Sequence, residues 1–120
     1  MKILSILKKD LCDKRITNIV GKDIYMLHKP ESEKADLYIE YEVIENKESG
    51  YAGNTNLGET TFIQVDIFAK GSFVELAKVV KKVLKEKGYF YYRSANLYEE
   101  ETSLFHWASR WYKETNNEEE

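Results

Sequence analysis

The sequence predicts a single α+β domain: a mostly antiparallel sheet with one short and one long helix packed on it. Three observations carry this. Apolar residues alternate along Leu37–Glu45 and again along Thr60–Ala69, the period of strands that bury one face. A helical stripe with its own start and stop signals fills the stretch from Ser72 to Gly88. Beyond it, two aromatic-rich runs flank an acidic turn, the pattern of a hairpin. The 120 residues fit one domain, read as residues 1–113 with an acidic, frayed tail over 114–120.

Taken in order, Ile3, Leu4, Leu7 and Leu11 recur at helical spacing and predict a short first helix. Ile16–Val20 leads to a turn at Gly21, and Asp23–His28 is a short extended run closed by the polar loop around Pro30. In the next strand Leu37, Ile39, Tyr41 and Val43 share one face, with Tyr38, Glu40 and Glu42 on the other. Asn46–Gly58 is turn-rich, lacks a core pattern and is too long for a tight hairpin; loops of this length in small domains are often functional or disordered. In the following strand Ile63, Val65, Ile67 and Ala69 form the apolar face. Phe62 and Phe68 punctuate the opposite one, which predicts that this face too is partly covered, by the protein itself or by a partner. Ser72-Phe73-Val74-Glu75 has the form of a capping box. Phe73, Leu76, Ala77, Val80, Val83 and Leu84 follow on one helical face, Lys78, Lys81, Lys82 and Lys85 on the other, and Gly88 stops the helix. Tyr89–Tyr98 and Leu104–Tyr112 are read as strands joined through Glu99-Glu100-Glu101.

Composition narrows the function. With 18 basic and 21 acidic residues the net charge is −3, too acidic overall for binding nucleic acid by bulk charge. The one cysteine, Cys12, forms no intramolecular disulfide and is read as a buried or half-buried structural thiol. No apolar run approaches a membrane span, and Lys8-Lys9-Asp10 comes too early for a signal peptide, so the expected setting is cytoplasmic and soluble, without membrane partners.

The chemistry-bearing residues form no complete constellation. His28 and His106, the only histidines, lack metal-ligand spacing, and no metal or other cofactor is expected. There is no nucleophile elbow and no phosphate-cradling loop. Glu40 with Glu42, Asp66 with Lys70, and His106 with Arg110 are each half of a site. The chain is therefore expected not to be an enzyme; a small enzyme using His106, Arg110 and the Glu40/Glu42 pair is the least supported alternative. A second alternative is a nucleic-acid-binding regulator, using the lysine face with Tyr89, Tyr91 and Tyr92 as stacking platforms. What stands out instead is aromatic surface: 9 Tyr, 5 Phe and 2 Trp are hard to bury wholly in a chain this small, which suggests self-assembly or docking.

The C-terminal half carries a resemblance. Leu97-Tyr98-Glu99-Glu100-Glu101-Thr102-Ser103-Leu104-Phe105-His106-Trp107-Ala108-Ser109-Arg110-Trp111 resembles the ending of small tail-completion proteins of long-tailed bacteriophages and prophages, through Glu101-Thr102, Phe105-His106 and Arg110-Trp111. Ala35–Ile39 is similar to the strand that opens that family's sheet, with Leu37 where Pro is usual. Glu59–Phe68 is similar to its central strand. The pattern spans roughly residues 16–113. The resemblance implies an α+β tail terminator: a ring, commonly a hexamer, at the head-proximal end of the tail tube, joining it to the head connector, or stopper, with DNA passing the lumen without specific binding. It implies a place in the virion at the tail–head junction, assembled in the host cytoplasm, and no catalysis. On that reading Tyr51, Asn54, Asn56, Phe62 and Phe68 are candidate contacts with the tube or a neighbouring subunit. Glu99, Glu100 and Glu101, or the terminal Glu118, Glu119 and Glu120, are candidate lumen acids, where like charge keeps DNA from adhering.

Overall fold

A computed structural model describes residues 2–49 and 58–116. The first helix, α1, spans Lys2–Leu11, with Ile3, Leu7 and Leu11 buried. A second helix, α2, follows at Lys14–Val20, where the sequence reading had only an approach to a turn. Its cause is local: Asp13 is the N-cap, its carboxylate accepting the Arg15 N–H at 2.9 Å, and Gly21 takes φ 64° at the other end. Seven residues give only two buried apolar positions, Ile16 and Val20, too few to declare a period.

The strands are β1 (Ile24–Met26), β2 (Leu37–Ser49), β3 (Gly58–Ala69), β4 (Phe90–Glu99) and β5 (Leu104–Asn116), with α3 (Val74–Glu86) between β3 and β4. They form one sheet in the order β1-β2-β3-β5-β4. Every pair is antiparallel except β1 with β2. The fold is thus the α+β single domain expected, with three helices among the described residues rather than two. Its helices share one side of the sheet. Leu7 and Leu11 of α1, Ile16 and Val20 of α2 and Val80, Val83 and Leu84 of α3 join Ile39, Tyr41, Ile63, Val65, Ile67, Trp107 and Trp111 in one core.

Two boundaries move. Asn46–Ser49 pairs with Gly58–Thr61, so both strands run into the segment read as a loop, and residues 50–57 lie outside the described residues. Cross-strand polar contacts replace the missing core pattern there: Asn46 Nδ2 donates to Thr61 Oγ1 at 2.6 Å. β5 in turn continues to Asn116, paired with Gly58, and takes in the first three residues of the segment read as tail.

The signals around α3 are half as expected. Phe73, not Ser72, is the N-cap, and Phe73 packs against the core. The Ser72 hydroxyl still accepts the Val74 N–H at 3.2 Å, but the reciprocal bond from Glu75 does not form among the described contacts. The stop signal is complete. Gly88 has φ 94°, its N–H reaches the Lys85 carbonyl and the Tyr89 N–H reaches the Leu84 carbonyl, the paired bonds of a Schellman motif. A side chain at that φ is strained, so Gly88→Ala is expected to cost about 1 kcal/mol, read as a lower urea midpoint at unchanged slope.

Candidate assembly surface

With the helices on one side, the other side of the sheet is open, and it collects most of the residues singled out in the sequence. Strand alternation places Glu40, Gln64, Asp66, Phe68, His106, Ala108 and Arg110 there, because β2–β3 and β3–β5 register sets Glu40 beside Asp66, Phe68 beside His106 and Gln64 beside Arg110. His106 and Arg110 flank Ala108 on this face, as the strand reading requires.

Part of the open face is sealed by the chain itself. Tyr38, Phe68 and Leu104 form a second, smaller core, with Tyr25 and Ala35 packed against it. Phe68 is stacked between the Tyr38 ring at 4.9 Å and the His106 ring at 4.1 Å. Of the two candidate contact aromatics in the described residues, Phe68 is therefore buried, while Phe62 is half-buried and leans on Tyr112 at 5.8 Å. Tyr51, Asn54 and Asn56, like Glu118, Glu119 and Glu120, lie outside the described residues.

A polar row crosses the sheet beside this stack. Gln64 Nε2 donates to both Asp66 carboxylate oxygens at 3.0 Å, and Arg110 Nε donates to Gln64 Oε1 at 3.3 Å. His106 Nε2 sits 3.5 Å from Asp66 Oδ1 without a hydrogen bond, and its Nδ1 is 4.0 Å from Glu99 Oε2. Glu99 ends β4, accepts the Thr102 hydroxyl at 2.9 Å, and is only partly exposed, whereas Glu100 and Glu101 are exposed on the turn. Glu40 has its carboxyl pushed above the usual range chiefly by burial, against the pull of the Lys29 N–H, which donates to it at 2.8 Å, and of His28. Burial, with Glu40 and Glu99 nearby, pushes the Tyr38 hydroxyl up to about 12.

Glu40 gives a pH prediction. Its folded pKa lies above the ordinary 4.5, so the native state holds that proton more tightly than the unfolded chain. The native state thus loses stability as pH rises from about that value through the folded one. Glu40→Gln keeps an acceptor for Lys29 and removes the charge. Its stability relative to wild type is expected to be higher at pH 7 than at about pH 4, compared by urea midpoints.

The row groups Glu40, Asp66, Gln64, His106 and Arg110 on the open face. Arg93 faces Arg110 across β4–β5 around a shallow depression of about 440 Å³, which also touches Leu97 and His106. Among the described residues, no group of three or more His, Cys, Asp and Glu side chains is placed to hold a metal ion. Glu40, though beside Asp66, is on the far side of β3 from Arg110. Cys12 is exposed just past the end of α1, not buried as read from its neighbour Leu11, because the chain turns there before α2 begins. No helix among the described residues is long and apolar enough to cross a membrane.

What the surface offers is contact area. β4 is one of the two edge strands, and its Phe90, Tyr92, Leu97 and Tyr98 are about half exposed. Phe105 and Ile44 are exposed as well. Among the described residues the aromatic excess is thus divided: Tyr38, Tyr41, Phe68, Tyr89, Trp107 and Trp111 are buried in the two cores, Tyr25, Phe73 and Tyr91 pack against them partly buried, and Phe90, Tyr92, Tyr98 and Phe105 stay exposed on β4 and β5. Sequence reasoning marked the aromatic run but not Ile44, the residue left without a partner at the register shift between Val43 and Glu45.

No family model matches the chain, and a search of curated proteins finds no match. Among solved structures the chain is similar to one from the virion of a native gene transfer agent particle. That likeness covers 92% of this chain and 91% of the other, with a TM-score of 0.67 at 12% identity. The fold described here is therefore one that a virion chain also has.

Proposed function

We propose that this chain is a structural virion protein that caps the tail tube at its head-proximal end as a ring and joins it to the head connector. The observation that carries the reading is the near end-to-end fold likeness to the gene transfer agent virion chain. The tail-completion pattern adds to it, since Glu101-Thr102, Phe105-His106 and Arg110-Trp111 fall on the β4–β5 turn and β5. In this role the protein works by contact. Its partners are further copies of itself, the family's usual ring being a hexamer, the tail-tube protein and the connector, and DNA passes without specific binding. No catalytic step is assigned to it. Its place is the tail–head junction of the virion.

One observation favours a second reading. Lys78, Lys81, Lys82 and Lys85 make no salt bridge among the described residues, and a nucleic-acid-binding regulator would use them. Two of them, Lys81 and Lys85, are already over the Tyr91 ring at 4.5 and 5.8 Å, which occupies the stacking partner such a site needs.

The test is electron microscopy of tail tubes with purified protein added. A disc at one tube end, and tubes that no longer grow with excess subunits, is the expected result. Bare, growing ends together with steeply salt-dependent DNA binding, lost on changing Lys78, Lys81 and Lys82, would move the assignment to the second reading.

A further inference from the structure

Resting on the ring reading, we infer that the free edge of β4 in one copy pairs with the free edge of β2 at Glu42–Glu48 in the next, extending the sheet from copy to copy. Both edges are unpaired among the described residues. β4 is the last strand in the sheet order, and β1 covers β2 only as far as Tyr41. They lie at opposite ends of the sheet, so one joined to the other is a head-to-tail contact, the kind that closes rings.

The β4 edge lacks the usual protection. Edge strands of monomers are blunted by lysine, proline, bulges or a covering element. Phe90–Leu97 has no lysine or proline and one charge, Arg93, and its bulge between Tyr91 and Arg93 interrupts only the start. Exposed Phe90, Tyr92 and Leu97 on such an edge call for a covering strand.

Charge selects the occupant. Beside β4, Lys81 and Lys85 lean over Tyr91, and with Arg93 they make this flank positive. The β2 edge carries Glu42, Glu45 and Glu48 against Lys47 alone, with exposed Ile44 among them. Two β4 edges placed together would oppose Arg93 and the lysines to themselves, and two β2 edges would oppose glutamates. Only β4 against β2 joins unlike charges and apolar side chains together. The acidic edge thus suits a second copy of this chain.

The test uses the full chain, first at rising concentration without tubes, by sedimentation, then on tail tubes, by microscopy. Two variants are made: Lys81→Glu with Arg93→Glu, and Glu45→Lys with Glu48→Lys. Arg93, Glu45 and Glu48 are exposed and Lys81 is partly so, and circular dichroism checks that each variant folds. Wild type is expected to form rings in at least one setting. Each variant alone is expected to lose assembly roughly tenfold or more. An equimolar mixture is expected to regain it, because alternating copies restore unlike charge at every contact. Backbone amides of residues 90–97 and 42–48 are expected to exchange more slowly in the assembly than in the free chain.

Variants that assemble like wild type, a mixture that restores nothing, unprotected edge amides, or a wild type monomeric in both settings would each overturn the inference. The two readings fail separately. Discs on tubes that ignore charge reversal end the edge pairing and keep the tail role, whereas charge-dependent rings that ignore tube ends do the opposite.

Discussion

Trp111→Ala is expected to remove about 4 kcal/mol of stability, a large share of the roughly 5–15 kcal/mol that holds a typical domain folded. Trp111 is fully buried at the centre of the main core, opposite Ile63 on β3 and edge-on to Tyr91 at 5.1 Å. Its indole is also half of a polar device. Nε1 donates to the Ser109 hydroxyl at 2.9 Å, and that hydroxyl donates to the Val65 carbonyl at 2.6 Å. Truncation leaves a cavity that no neighbouring helix can refill without leaving its own packing. Ser109→Ala is the companion variant. It keeps the volume but strands the buried indole N–H, and is expected to cost about 1–3 kcal/mol. Trp107, the other tryptophan and also buried, reports unfolding by fluorescence in both. A Trp111→Ala chain that melts within a few degrees of wild type would show that the core relaxes around the loss.

Where each element was legible follows from how its information is written. The central strands and α3 declare themselves because burial is one-sided over many residues. Ile63, Val65 and Ile67 alternate without exception, and Leu76, Ala77, Val80, Val83 and Leu84 repeat at helical spacing. α2 is too short for a period and rests on a cap, Asp13, whose contribution depends on Arg15 and, beyond it, on Glu86 from the end of α3 at 2.9 Å. No window of local sequence contains that contact. The outer end of β2 and the first two residues of β3 were hidden for another reason. From Ile44 to Glu48 every residue of β2 is exposed, so polar residues serve on both faces and alternation disappears. Cys12 was misjudged because helical spacing from Leu11 presumes a helix that has already ended. On the open face the residue types were readable and their grouping was not. His106 was set beside Arg110 by sequence spacing, but its neighbours in space are Phe68, Asp66 and Glu99, from a different strand or the end of one.

That regrouping decides the second large effect, at Phe68. Read from sequence, Phe68 shares a face with Phe62 and is a candidate contact for the tube or a neighbouring subunit. In the fold it stacks between Tyr38 and His106 and is buried with Leu104. Phe68→Ala is therefore expected to cost about 3 kcal/mol, at the low end for a buried aromatic because this second core is small and lies on the helix-free side. The loss should appear in the isolated chain, as a lower melting temperature and a lower urea midpoint. Phe62→Ala, half-buried against Tyr112, is expected to cost roughly 1 kcal/mol or less by the area it covers. The pair separates two roles that look alike in the sequence. A residue of the fold loses stability first, and assembly only as far as the folded fraction falls. A contact residue loses assembly while the free chain melts as before. If Phe68→Ala leaves the melting temperature unchanged yet abolishes assembly, the Tyr38–Phe68–His106 stack is not what holds that side of the sheet together, and the open face must be covered by another chain.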